Sequence, residues 1–178
     1  MWVEDEHGLT QGAIVDGIDW GLEDNPLGMV LSNACDLEHG KSSFLIVAAI
    51  IPAKDTITST KEYLAKVPKE TASLTKKQKD ALKELLGKYI HNKDICRYYF
   101  FDTEPVFDLG LALVDFQRIT SVEWETAGKL EVIAQLRHPF VEQMMMRFVA
   151  YTSRIPSDRV SEETETSYLE ELSSGMLP

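Results

Sequence analysis

The chain has 178 residues, of which 44% are hydrophobic and 26% charged, enough apolar material for one domain with a real core. No apolar run approaches the roughly 20 residues that span a bilayer. The acidic start, MWVEDEHGLTQG, lacks the apolar stretch of a secretory signal, and two cysteines far apart do not make a disulfide framework, so a cytoplasmic protein is expected. The formal net charge of -11 is uneven: residues 61–88 carry eight lysines against four acids, whereas 156–178 carry six acids against Arg159. An acidic body with one basic segment is not the footprint of a nucleic-acid binder, although that segment would suit phosphate or an acidic protein surface.

Along the chain, GAIVDGIDW from Gly12 reads as a short strand closed by Gly21, and LGMVLSN as a second. SSFLIVAAIIP is a third, with eight consecutive apolar residues from Phe44 to Ile51. Without period-2 alternation, both of its faces are expected to be buried, and Pro52 ends it because proline cannot donate to a ladder. Between strands two and three, ACDLEHGKS is a turn by composition, pivoting on Asp36 and Gly40.

Residues 58–91 change character. In TKKQKDALKELLGKYI, Ala81, Leu82, Leu85, Leu86, Tyr89 and Ile90 recur at helical spacing, and Thr75 with Gln78 forms a capping box. A shorter helix near STKEYLAKV stops before Pro68. Together they predict a helical insertion laid on the sheet, with lysines on its wet face. Strands resume at DICRYYFFD and GLALVDFQRITSVEW, bounded by Pro105 and Gly110. KLEVIAQL is a strand or a first helical turn, since periodicity does not separate the two. HPFVEQMMMRFVAYTSR is the clearest helix: Pro139 suits a first turn, and Phe140, Val141, Met144, Met145, Phe148 and Val149 form one stripe. Residues 1–155 thus read as one domain. Residues 156–178 read as an acidic flexible tail in which SYLEEL forms a short helix on a partner.

Two segments in this order resemble the MazF/PemK toxin family. The first is GAIVDGIDW, a loop, GMVLSN and FLIVAAIIP, against the family's G-D-I-V, P-V-V-V-L-S-N and V-I-V-A-P-I-T strands. The second is ALVDFQRITSVEWETAGKLEVIAQL with the helix after it, against V-D-Q-I-R-T-V-D, an I-G-R-L turn and a closing helix. The resemblance covers most of residues 12–151 outside the insertion. It implies a mainly β fold with helical additions: a small SH3-like β-barrel with a helical insertion and a C-terminal helix. It also implies a bacterial toxin-antitoxin or phage-defence setting and a tendency to homodimerise. Family ribonucleases use an arginine before the second strand to stabilise charge on the phosphorane, and a threonine ending the third to orient the phosphate. Here the loop GLEDNPLG offers Glu23 and Asp24, and the threonine position is Ile51. Carboxylates facing a phosphodiester repel it, so the departures argue against the family's cleavage chemistry.

Three functional readings follow. The first is a non-catalytic protein-binding component, with Lys76, Lys77, Lys83, Met146, Tyr168, Leu169 and Leu172 as partner-contacting residues, no cofactor and no membrane. The second is a sequence-specific endoribonuclease with displaced residues, drawn from Lys41, Thr56 and Arg118. The third is a metal-dependent or thiol enzyme on Cys35, Asp36 and His39. That trio lacks the further ligands zinc needs and has no C-x-x-C or H-x-x-x-H pair, so a turn with Cys35 as a small buried group is the plainer expectation. Asp115 and Arg118 are expected to form structural ion pairs, with each other or with neighbouring strands, and Arg137, Arg147 and Arg154 to be ordinary surface arginines unless they gather as an anion site.

Overall fold

Six strands follow from the apolar runs: β1 (Ala13–Asp16), β2 (Gly28–Val30), β3 (Phe44–Pro52), β4 (Tyr98–Asp102), β5 (Leu111–Glu123) and β6 (Glu131–Gln135). The computed structural model describes residues 1–2, 8–21, 26–39, 41–67, 73–93, 97–103 and 110–153. Every strand pairing is antiparallel, and the strands form one curled sheet in the order β4-β5-β3-β2-β1-β6. The architecture is therefore mixed, with a barrel-like antiparallel sheet and added helices. Among the described residues β4 and β6 are the two edges of that sheet, a half-barrel consistent with the mainly β, barrel-like fold expected.

The sheet turns about its two longest strands. β3 and β5 pair along all of β3, but the register passes from Ala48 opposite Ile119 to Ala49 opposite Asp115. Phe116, Gln117 and Arg118 therefore stand outside the ladder, an extended bulge of the kind that bends a strand and raises local twist. One face carries Ile14, Met29, Ala48, Ile50, Tyr99, Phe101, Val114 and Phe116, covered by helix α6 (Phe140–Thr152) through Val141 and Met144. The other carries Val15, Val30, Leu45 and Val47 with Leu37 and Ala127. Gly12 lets α6 approach: its φ is 81°, and a Cβ there would sit 2.7 Å from Val141 Cγ2.

Helices α1 (Ala34–Glu38), α2 (Ala53–Thr58), α3 (Lys61–Lys66), α4 (Lys76–Ile90) and α5 (Trp124–Ala127) complete the described elements. Several depart from the sequence reading. The expected turn after β2 is the one-turn helix α1, because Asn33 caps it by accepting from the Cys35 amide at 3.0 Å. Helical structure begins at Ala53 rather than near 58, since Pro52, with extended backbone, serves as N-cap of α2 as well as the last residue of β3. The capping box of α4 is present as read, with Gln78 N donating to Thr75 and Thr75 N to Gln78 Oε1. The insertion lies on the sheet: Ala53, Ile57, Leu85 and Tyr89 bury against Leu113. KLEVIAQL resolves to a strand. Pro139 is the N-cap of α6 rather than a first-turn residue, after a cis His138–Pro139 peptide. Of the α6 stripe, Val149 is exposed, as is Ile90 on α4. Pro68, Pro105, Gly40 and the tail 156–178 lie outside the described residues.

Candidate protein-interaction surface

β3 is not buried on both faces along its whole length. Its first half alternates, with Leu45 and Val47 buried while Phe44 is 49% and Ile46 43% exposed. Side chains alternate across a strand, so Phe44, Ile46 and Ala48 share one face. Ala48 is covered on that face, but beyond it the face is open. Across the ladder, Phe44 faces Glu123, Ile46 faces Ser121, and Ala48 faces Ile119, itself 40% exposed. Ile119 is thus the diagonal neighbour of Ile46, within reach of a branched side chain. The result is an apolar row of Phe44, Ile46 and Ile119 rimmed by Ser121 and Glu123. Trp124, also exposed, follows directly and donates its amide to Ser43 O at 3.0 Å.

The row adjoins the bulge through Ile119. Ile119 also lines a depression of about 440 Å³ with Asp19, Trp20, Gln117, Arg118 and Thr120. Trp20 is anchored there by its indole N–H, which donates to Leu27 O at 3.1 Å. Beneath the bulge lies Asp115, fully buried, whose carboxylate accepts from Arg97 Nε at 2.8 Å, Arg97 Nη2 at 2.7 Å and Gln117 N at 3.0 Å. Hydrogen bonding to Asp115 holds the Arg97 guanidinium above its usual pKa, against the opposing effect of burial. Arg97 also lies over the Tyr98 ring, 4.7 Å from its centroid. Of the two expected pairings for Asp115, the one with a neighbouring strand is therefore the tight one, and Arg118 is second to it, at 3.8 Å from Asp115 and half-exposed.

β4, which pairs with β5, is an edge of the sheet on which the outward backbone groups of Phe100 and the Tyr98 carbonyl are occupied. Phe100 N donates to Asn92 Oδ1 at 2.6 Å and Asn92 Nδ2 donates to Phe100 O at 3.1 Å, so one side-chain amide imitates a neighbouring strand. Arg147 Nε donates to Tyr98 O at 3.2 Å. These bonds blunt the edge against further strand pairing.

The residues singled out in the sequence fall into separate places. Cys35, Asp36 and His39 lie on α1 and at its C-cap, all three exposed; Leu37 is the buried one, so the expectation of a buried Cys35 is corrected. Among the described residues no group of three or more His, Cys, Asp or Glu side chains is placed to hold a metal ion. Lys41 is exposed in the loop before β3, and the Thr56 hydroxyl donates to Pro52 O at 2.9 Å within α2. Neither joins Arg118 at the depression beside the bulge. Ile51 is partly buried against the α2/α4 cluster. Lys76, Lys77 and Lys83 are exposed on α4, and Met146 is 72% exposed on α6, off the stripe as its spacing indicates. Arg137 is exposed ahead of α6, whereas Arg147 is partly buried against β4. Glu23, Asp24, Arg154, Tyr168, Leu169 and Leu172 lie outside the described residues.

Sequence reasoning missed Arg97 and Asn92. Asn92 has φ 51°, the left-handed conformation that asparagine tolerates just past a helix end, and its place after α4 was the available signal. Arg97 had none, because its carboxylate is 18 residues away. No described helix is long and apolar enough to cross a membrane. No protein-family model matches this chain, and no curated protein matches it either.

Proposed function

We propose that the chain is a non-catalytic protein-binding component built on an SH3-like barrel of MazF/PemK type, working in a bacterial toxin-antitoxin or phage-defence assembly. The carrying observation is the solvent-facing row of Phe44, Ile46 and Ile119 on an otherwise well-covered sheet face. Contiguous apolar surface with a polar rim is what a protein partner covers, whereas single exposed apolar residues need no explanation. The barrel type draws support from the order of β1, β2 and β3, the bend in the sheet and the helix that follows β6. The same row would serve a homodimer. The experiment is affinity capture by the full chain and by its Ile46→Glu/Ile119→Glu variant. Partners that survive the double variant in undiminished amount, with its circular dichroism unchanged, would count against the row as the interface.

One observation favours a second reading, an endoribonuclease with displaced residues. Arg118, Trp20, Gln117 and Thr120 gather a cation, an aromatic face and hydrogen-bonding groups at one depression, beside the carboxylate of Asp19, and the first four are the kinds of group that hold a single-stranded nucleic acid. Incubating purified protein with a mixed RNA pool, with and without chelator, decides between them. Cleavage lost in Arg118→Ala would replace the first reading with the second.

A further inference from the structure

α4 presents more apolar side chain than the sheet covers. Leu85 and Tyr89 are buried in the core and Leu86 packs partly against it, but Leu82, Leu86 and Ile90, at i, i+4 and i+8, also line one flank. They floor a groove of about 380 Å³ whose rim is Lys79, Lys83 and His91. Gly87 keeps it open: the nearest atom to a Cβ built there is His91 Cδ2 at 3.9 Å. Lys76, three residues before Lys79, lies on the same side, while the acids Asp80 and Glu84 come further round the helix. The groove therefore has an apolar floor and a basic rim, which is complementary to an acidic segment with apolar residues at helical spacing.

The chain carries one. In SYLEEL, residues 167–172, Tyr168, Leu169 and Leu172 recur at i, i+1 and i+4, with Glu163, Glu165, Glu170 and Glu171 around them. The charges are opposite, +4 over 61–88 and -5 over 156–178. The reach suffices. The described chain ends at Ser153 after α6, and α6 and α4 both pack against β4. Arg147 of α6 donates to Tyr98 O, and the Tyr98 ring is 6.2 Å from that of Tyr89 on α4. Residues 154–166 span up to about 45 Å when extended, far more than the breadth of two helices on one strand. A tether of that length gives the segment an effective concentration in the millimolar range, so a weak contact is enough.

We propose that residues 167–172 occupy the α4 groove of their own chain, their glutamates against Lys79 and Lys83, so that the lysine-rich helix and the acidic tail are each other's partner. This surface is distinct from the Phe44 row, so the two proposals stand or fall separately.

Zero-length carbodiimide cross-linking of the full chain, as an equal mixture of light and heavy isotope-labelled protein, tests it. The expected result is cross-links from Glu170 or Glu171 to Lys79 or Lys83 within light or within heavy chains. Their yield should fall at least about tenfold in Leu169→Asp/Leu172→Asp, because even partial burial of two leucines shifts an equilibrium by that much or more. Absence of these links, links joining light to heavy chains, or a yield that the double variant leaves unchanged would each overturn it.

Discussion

The buried Asp115 carboxylate and the Arg97 guanidinium meet through two parallel hydrogen bonds, 2.8 and 2.7 Å, at the point where β5 leaves and rejoins its ladder with β3. This fork ties the start of β4 to the bulge, and a third bond from Gln117 N fixes the loop of extra residues. The exposed Ile119, just past the bulge, inherits its position from that tie.

Removing either member should therefore destabilise the fold. Asp115→Ala or Arg97→Ala is expected to cost about 2–4 kcal/mol, below the full range for a wholly buried pair because water reaches part of Arg97. Arg118→Ala, whose guanidinium is half-exposed at 3.8 Å, should cost less than about 1 kcal/mol. Urea denaturation of the three variants checks the ranking. An Arg118 variant as unstable as the Arg97 variant would reverse the assignment of partners.

Asn92→Gly retains the left-handed backbone at that position while deleting both bonds to Phe100. The expected loss is about 1–3 kcal/mol from groups left unpaired at a half-buried edge. With the Phe100 amide and carbonyl freed, β4 should also pair between molecules, so sedimentation should show concentration-dependent association that the wild-type edge prevents.

Alkaline pH should erode stability through Tyr99. Burial pushes its hydroxyl up to about 12, with Arg147 opposing, and the hydroxyl donates to Phe140 O at 3.2 Å. A phenol whose folded pKa exceeds its unfolded one contributes fully below about pH 10 and loses that contribution as pH rises toward 12. A two-unit shift corresponds to about 2–3 kcal/mol across that window. Burial raises Tyr89 and Tyr98 as well, in the same sense. Denaturant midpoints between pH 9 and 12 should fall steeply for the wild type and less steeply for Tyr99→Phe.

Much of the strand order was legible because apolar runs bounded by Gly, Pro and polar clusters mark strands irrespective of tertiary context. The Thr75–Gln78 box was legible for the same reason: it is a local device that needs only its own backbone. What failed was non-local. An unbroken apolar run such as FLIVAAII says that both faces are apolar, not that both are covered, and so the exposure of Phe44 and Ile46 could not be read from it. The Arg97–Asp115 fork joins the residue before β4 to β5, so a pairing with a neighbouring strand could be expected for Asp115 but its partner could not be named, whereas Arg118 is the partner that spacing alone suggests. Asn33 changed an expected turn into α1, bringing Cys35 to the surface where composition had put it inside.

On the proposed function, the Phe44–Ile46–Ile119 row meets another protein. A photo-cross-linking residue placed at Ile46 in the full chain, compared with the same residue at the solvated Lys54, tests it most directly. One discrete cross-linked protein is expected from position 46 and none of it from position 54. Matching profiles from the two positions, or no adduct at 46, would contradict it.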